Sequence, residues 1–413
     1  MVLALILLLL PTQLNHFFWP EFSYVFGLPI DHLAPALYLQ DILIVTFVLV
    51  SLLKRHAGLD PASAFKPKYV IAFLFVLINI FITPSPLLSL YFWLRLAILI
   101  LFYYSLIAHP PKLSLLSSLL LLSSIIPTLL ALAQFIHGGS LQGLFYFLGE
   151  RSFNLATPGV SKIHLCLPTI GCHYYLRPYA TFSHPNVLAA YLGLIWLVLL
   201  NFRKSLAPIT RKLYYFFTPL IFLTILLTFS RSVFLALFLA LTLPKVFSSP
   251  WTPTCRQAWR SRVCLVYLAL NIAYWFVSFF IHSESLSVME RTSFNRIYLQ
   301  IFFEHPLFGV GLGHSITALG EASVYWSTFT HRLFLQPPHN TLLLLLVELG
   351  LIPVFVLLAV TPRWVARQGF PRGGTAIAIF ILVTSLFDHY YLTSFQLRLL
   401  FVFIILLYNN KSL

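Results

Sequence analysis

Polar side chains are scarce in this chain, so those that border its apolar runs stand out. His339-Asn340 follows Pro337-Pro338 and leads straight into Thr341-Leu342-Leu343-Leu344-Leu345-Leu346-Val347. A histidine can take a proton from a hydroxyl near neutral pH. A lone histidine at an apolar boundary is also a common structural residue, and its charged company has to decide between the two readings. That company is Arg177, Arg231 and Arg291, each at the end of an apolar run or in a long polar connection. Arginine stays charged and makes paired hydrogen bonds to phosphate oxygens. Arg231, in Thr228-Phe229-Ser230-Arg231-Ser232, joins two apolar stretches with almost no loop and has no acid nearby in sequence. It reads as an anion ligand or as an interfacial anchor, because an unpaired arginine inside a bilayer is costly.

Arg177 precedes His184-Pro185-Asn186, where the next apolar run begins. His184 and Asn186 then sit at a helix N-terminus, whose free N–H groups favour anions, although Asn186 also reads as a plain cap. Arg296 rivals Arg291 for the same role; five residues apart, the two do not share a helix face well. Glu348 lies within an apolar run and must be paired or protonated, with Arg95 and Arg398 as candidate partners. Asp388-His389 reads as a dyad or as a polar turn. No H-x-x-x-H, H-x-H or Cys/His spacing appears, so no metal site and no cofactor are expected. The run Gly309-Val310-Gly311-Leu312-Gly313 has no strand before it and reads as a tight turn or re-entrant backbone rather than a nucleotide loop. Several arginines with a histidine at one membrane face suit a lipid-linked diphosphate sugar. Its leaving group is already activated, and arginines can stabilise the charge that develops on the departing diphosphate.

The elements that position these residues follow from composition. Of 413 residues, 59% are hydrophobic and only 9% charged, and the mean hydropathy is +0.89. Soluble domains carry roughly a quarter charged residues, so the chain reads as an all-α integral membrane protein. About twelve candidate spans lie near 2–19, 33–53, 69–83, 87–107, 113–136, 185–201, 212–229, 232–248, 262–281, 339–360, 374–387 and 394–410. The first is read as a retained span rather than a signal peptide, for it lacks a basic start and a small-residue cleavage site. The formal charge of +15 is spread over short loops, which argues against a nucleic-acid partner. Most basic residues fall on alternate loops, among them Lys54, Arg203, Lys204, Arg211, Lys245, Arg256 and Arg363, so those loops and both termini are expected in the cytoplasm.

The expected organisation is therefore helices 1–5 within 1–136 and a first long extracytoplasmic loop over 137–184. Helices 6–9 follow within 185–281. A large extracytoplasmic (periplasmic) loop with an amphipathic helix from Glu290 to Glu304 covers 282–338, before the tenth span, and helices 10–12 fill 339–413. Loops this long in a compact membrane protein are usually functional. Cys166 and Cys172 share the first long loop and read either as a disulfide or as two free thiols.

One ordered set of motifs resembles a known family. Arg177 with Thr181-Phe182-Ser183-His184-Pro185-Asn186 is followed by Ser230-Arg231-Ser232. Arg291 then precedes His305-Pro306-Leu307-Phe308-Gly309-Val310-Gly311-Leu312-Gly313, and His339-Asn340 comes with Glu348-Leu349-Gly350. Over residues 177–352 this set resembles the O-antigen ligase and O-antigen polymerase superfamily of bacterial membrane glycosyltransferases; Ser232 stands where the family usually has glycine. The resemblance implies twelve helices with a large periplasmic loop before the tenth, in the bacterial inner membrane, with the active site facing the periplasm or exterior. It implies transfer of a glycan from undecaprenyl diphosphate to an acceptor hydroxyl, on lipid A–core or a comparable glycolipid or glycan, with inversion and without metal. His339 would then be the base, and Arg177, Arg231 and Arg291 would hold the diphosphate. His184, Asn186, Arg296, Asn340, Glu348, Asp388 and His389 would support them. A polymerase is the alternative within the superfamily. A transporter is the alternative outside it, against which stand the lack of an inverted repeat and of paired broken helices.

Overall fold

A computed structural model of the chain describes residues 1–54, 67–167, 171–246, 286–324, 335–353 and 374–410. Helix α1 (Val2–Leu8) leads into strands β1 (Asn15–Phe17), β2 (Tyr24–Val25), β3 (Leu28–Pro29) and β4 (Ala36–Tyr38), with β1 antiparallel to β4 and β2 to β3. Helices α2 (Leu39–Lys54), α3 (Pro67–Phe81), α4 (Pro86–Ala108) and α5 (Leu113–His137) follow. The antiparallel hairpin of β5 (Lys162–Leu167) and β6 (Gly171–Leu176) precedes α6 (Pro185–Phe202), α7 (Pro208–Leu227) and α8 (Arg231–Val246). The remaining described helices are α9 (Leu286–Glu304), α10 (Ser315–Val324), α11 (Thr341–Leu349), α12 (Gly374–Ser385), α13 (Tyr390–Thr393) and α14 (Phe395–Asn410).

Among the described residues, α4, α5, α6 and α7 are long and apolar enough to cross a bilayer, and α2, α3, α8, α12 and α14 are shorter apolar helices. The molecule is a mostly helical membrane protein. Its outer surface fits that setting: Leu53, Phe73, Phe81, Tyr104, Phe216 and Phe238 are exposed, where lipid rather than water would meet them. The interior holds small polar side chains instead. On α5, Ser117, Ser118, Ser123, Ser124 and Thr128 are buried; Ser118 bonds Thr210 at 2.9 Å and Ser123 bonds the Tyr191 hydroxyl at 3.1 Å. Small residues let helices approach closely, and their hydroxyls bond across the contact.

The expected first span, 2–19, is not a continuous helix. At ~1.5 Å per residue, the 7 residues of α1 reach only a third of the way across a ~30 Å hydrocarbon core. Pro11 and the polar Thr12-Gln13 end the apolar run, and the next residues pair as β1 with β4. Helix α2 likewise starts at Leu39, six residues later than the expected 33, because Ala36–Tyr38 is committed to that ladder. The expected ninth span, 262–281, lies outside the described residues.

Helix α6 is the axis of the bundle. Nearly all its residues are buried, and it packs against α5, α7, α8, α12 and α14. Gly193 allows the approach of α12: a Cβ there would sit 2.9 Å from the Phe380 ring.

Both long connections contain secondary structure in their described residues. In the first, Cys166 and Cys172 face each other across β5 and β6 and form a disulfide. In the second, α9 starts at Leu286, four residues before the expected Glu290, and buries Phe294, Ile297, Tyr298, Ile301 and Phe302.

The glycine run is a strap over the far end of α11. The Val310 N–H donates to the Val347 carbonyl (2.8 Å) and the Gly311 N–H to the Glu348 carbonyl (3.1 Å). These are carbonyls that a helix terminus leaves without partners. Return bonds run from Leu351 N–H to the Pro306 carbonyl and from Ile352 N–H to the Leu307 carbonyl. Gly309 has φ +68, and a Cβ on it would meet the Glu348 carbonyl carbon at 2.5 Å, so only glycine fits. Asn79 on α3 joins the strap to α11 and α4 with four bonds. Its Nδ2 donates to the Phe308 and Glu348 carbonyls, and its Oδ1 accepts from the Trp93 indole and the Leu312 N–H.

Candidate active site

Where α11 begins, Asn340 caps the helix. Its Oδ1 accepts from the Leu343 N–H (3.0 Å), and its Nδ2 donates to the Leu386 carbonyl (3.3 Å). The Thr341 hydroxyl donates to the Asp388 carbonyl at 2.8 Å. The start of α11 is thereby tied to the turn after α12. On the other side the Tyr298 hydroxyl, from α9, donates to the Gln336 carbonyl (2.8 Å) and holds the segment before the prolines.

These ties bring His339 to Asp388. His339 Nδ1 lies 3.9 Å from Asp388 Oδ1, is buried, and makes no hydrogen bond. The rings of His339 and His389 are 5.4 Å apart, and His32 stands 6.0 Å beyond His389. Asp388 Oδ1 accepts from the His389 N–H at 2.9 Å. The His389 imidazole is itself fixed by Nδ1 against the Thr393 hydroxyl at 2.8 Å. Ligand atoms of His339, Asp388 and His389 all fall within 4.8 Å of one another, so this trio could hold a cation. Their spacing in sequence gave no hint of it. Among the described residues the other such trio, His164 with Cys166 and Cys172, has its sulfurs in the disulfide.

A second series of contacts reaches Asp388 from α6. Arg177 Nη2 donates to Asn186 Oδ1 (2.7 Å), and Asn186 Nδ2 donates to Asp388 Oδ2 (3.4 Å). Arg177 Nε donates to the Thr228 carbonyl (2.6 Å) and so ties the C-terminus of α7 to the N-terminus of α6. His184 is the N-cap of α6. Its Nδ1 accepts from the Asn186 N–H (3.1 Å), which places the ring proton on Nε2, facing the Ser161 hydroxyl at 3.0 Å. Gln134, on α5, shapes the chain before it. It accepts from the Tyr179 and Ala180 N–H groups and donates to Glu150 (2.7 Å), which holds Ala180 at φ +50.

Burial raises the Asp388 pKa, but the neighbouring His339, His389 and His184 outweigh it and hold the carboxyl well below the usual carboxylate range. Burial pushes His389 down to about 3, with the Asp388 charge offsetting only part of the effect. Asp388 is thus an anion and His389 a neutral ring at neutral pH. A histidine whose folded pKa is lowered takes up its proton more readily when unfolded, so stability falls as pH drops through the window from about 6.5 towards 3. His389 is expected to cost about 2 kcal/mol between pH 7 and pH 5. Thermal melts of the wild type and His389→Gln at both pH values check this: the wild type should lose more. Equal losses in both proteins would exclude it.

His339, Asp388 and His389 open onto a cavity of about 700 Å³, also lined by His32, His184, Asn186, Glu348 and three arginines, Arg95, Arg151 and Arg398. Arg177 and Arg231 are not among its lining residues. Arg177 is engaged with Asn186 and Thr228 as above, and Arg231 is exposed at the start of α8. Arg291 lies on α9 with its side chain outside the described residues, and Arg296 is exposed on the same helix. Glu348 does not pair with Arg95 or Arg398, as the sequence suggested. It accepts from the Ser315 hydroxyl at 2.7 Å, while Arg95 pairs with Asp41 at 3.0 Å. Asp41 and Ser315 lie far from these partners in sequence, so only the fold reveals both pairings.

Residues 216–359 match the family model described as O-antigen ligase. No curated protein and no solved structure matches the chain. The matched stretch contains Arg231, Arg291, the glycine strap, His339, Asn340 and Glu348. Over that stretch, about a third of its length, the chain is similar to the O-antigen ligase family.

Proposed function

We propose that the protein is a membrane glycosyltransferase that moves a glycan from undecaprenyl diphosphate to an acceptor hydroxyl at the outer leaflet. The acceptor is lipid A–core or a comparable glycolipid. The observation that carries this reading is the placement of His339 beside the Asp388 carboxylate on the wall of the large cavity, at the head of a helix in the matched stretch. His339 presents Nδ1 to Asp388, which leaves Nε2 for the acceptor. Nε2 takes the proton of the acceptor hydroxyl, whose oxygen attacks the anomeric carbon from the face opposite the diphosphate. The bond between that carbon and the diphosphate oxygen breaks, its electron pair leaves with the lipid diphosphate, and the configuration inverts. Asp388 stabilises the imidazolium as it forms, as the aspartate of a catalytic triad does. No step calls for a metal. Arg231 and Arg291 are assigned to the diphosphate, supported by their place in the matched stretch. Arg177 acts through Asn186 to set the position of Asp388. Arg296 is placed beside Arg291 as an alternative ligand, and Glu348 supports the far end of α11.

The orientation has two supports. The basic loops lie on the opposite side from residues 137–184 and 282–338 in the twelve-span organisation. The Cys166–Cys172 disulfide suits an oxidising compartment such as the periplasm. Reconstitution of the purified protein with undecaprenyl-diphosphate glycan and a lipid A–core acceptor tests the proposal. A covalent glycolipid is expected without any ion gradient or added nucleotide. Glycan appearing across the membrane with no covalent product would make the protein a transporter. Lengthening of the lipid-linked glycan in place of acceptor modification would make it a polymerase.

A further inference from the structure

The fold gives Arg95 and Arg398 very different treatment, although both face the same cavity. The Arg95 guanidinium is held by three hydrogen bonds and by aromatic rings. It donates to the Ala36 carbonyl (2.7 Å), the Tyr91 hydroxyl (2.7 Å) and Asp41 Oδ1 (3.0 Å), and it lies 4.9 Å from the Phe395 ring centre and 5.0 Å from that of Tyr38. Asp41 also accepts from the Tyr38 N–H at 2.9 Å, so its carboxylate is committed. Arg398, on α14, lines the cavity with no such set. Its Nε is buried without a hydrogen bond, and no ion pair reaches its guanidinium among the described residues. Its charged neighbours are Arg95 and Asp41, so that with Arg398 itself two cations share one anion.

The other buried acids on the cavity wall are spoken for. Glu150 accepts from Gln134 and from the Leu141 and Gln142 N–H groups, Glu348 from Ser315, and Asp388 from Asn186 and His389. An arginine in a membrane helix without a counter-ion belongs to a wet cavity or to a ligand. Its planar, permanently charged fork matches the oxygens of a phosphate group. We propose that Arg398 is a substrate-binding residue that takes a phosphate or diphosphate oxyanion in this cavity, at a subsite separate from Arg231 and Arg291. That an oxyanion binds there does not depend on glycosyl transfer; naming the oxyanion as a substrate's rests on that reading.

The test uses the full-length protein in nanodiscs, with inorganic pyrophosphate as the probe. Wild-type protein is expected to melt at a higher temperature as pyrophosphate is added. Arg398→Gln should weaken apparent binding at least tenfold, and Arg398→Lys should fall between the two. Folded Arg398→Gln that binds pyrophosphate like the wild type overturns the proposal. If Arg398→Gln does not fold, Arg398→Lys decides, and an unchanged Kd overturns the proposal. Two kinetic arms then locate the source. A raised KM for the polyprenyl-diphosphate donor assigns the oxyanion to the donor, and a raised KM for a phosphorylated glycolipid acceptor assigns it to the acceptor. A change in neither overturns the assignment to a substrate. Pyrophosphate binding through Arg398 in a protein that makes no covalent glycolipid would keep the oxyanion site and remove the transferase reading. Transfer that persists while Arg398→Gln still binds pyrophosphate normally would do the reverse.

Discussion

His339→Ala is expected to lower glycan transfer by about 10²–10⁴-fold, the range that a positioned general base contributes, while the protein stays folded. The side chain makes no hydrogen bond that holds the structure together, since its Nδ1 has no partner within bonding distance. The ties that set the start of α11 come from Asn340 and Thr341. Loss of the imidazole should therefore leave the melting temperature near that of the wild type and leave donor binding intact. The loss should fall on the rate of the chemical step. Steady-state transfer assays paired with thermal melts would check this, and a folded variant with near-wild-type transfer would remove His339 from the mechanism. His339→Gln is the stricter comparison. It keeps a polar side chain of similar reach but cannot accept and hold a proton, so it should be as inactive as alanine.

Asp388→Asn should cost about 10²-fold or more in transfer rate, bounded by the ~10⁴-fold seen when a triad aspartate loses its charge. The substitution keeps the size of the side chain and leaves an oxygen to accept from Asn186 or the His389 N–H. What disappears is the negative charge 3.9 Å from His339 Nδ1. That separation is longer than a hydrogen bond, and catalytic contacts of this kind often tighten only when substrate is bound. If the carboxylate steadies the imidazolium, kcat falls while the KM for donor changes little. If Asp388 served only to anchor the turn after α12, the melting temperature would fall and kcat per folded molecule would not. Measuring both quantities on one preparation separates the two roles.

The sequence was informative where local chemistry decides the outcome. Pro337-Pro338 and Asn340 announce a helix start, and α11 begins at Thr341 with Asn340 as its cap. The alternating glycines announce unusual backbone, and they form a turn with positive φ at Gly309, Gly311 and Gly313. The apolar side of α9 was visible from its spacing. What stayed hidden depends on which long-range partner a side chain meets. Arg177, Arg231 and Arg291 stand in a suggestive order along the chain, but order does not say where a side chain points. The cavity is instead lined by Arg95, Arg151 and Arg398, two of which looked like partners for Glu348. The ladder of Asn15–Phe17 with Ala36–Tyr38 was also hidden, because in so apolar a chain a strand of three residues has no alternation to distinguish it.

The glycine strap has a consequence for reading variants of this protein. It grips the last carbonyls of α11, a helix of 9 residues whose other end carries His339. At ~1.5 Å per residue the two ends are only ~13 Å apart, and the helix behaves as a short lever with the strap as its fulcrum. Gly309, Gly350 and Asn79 do not line the cavity beside His339, yet changes there are expected to rotate or shift the lever. A displacement of ~1 Å at the reacting groups can cost ~10²-fold in rate. Inactive alleles that map to these positions would then report on aim rather than chemistry, and in a genetic screen they would be indistinguishable from loss of His339.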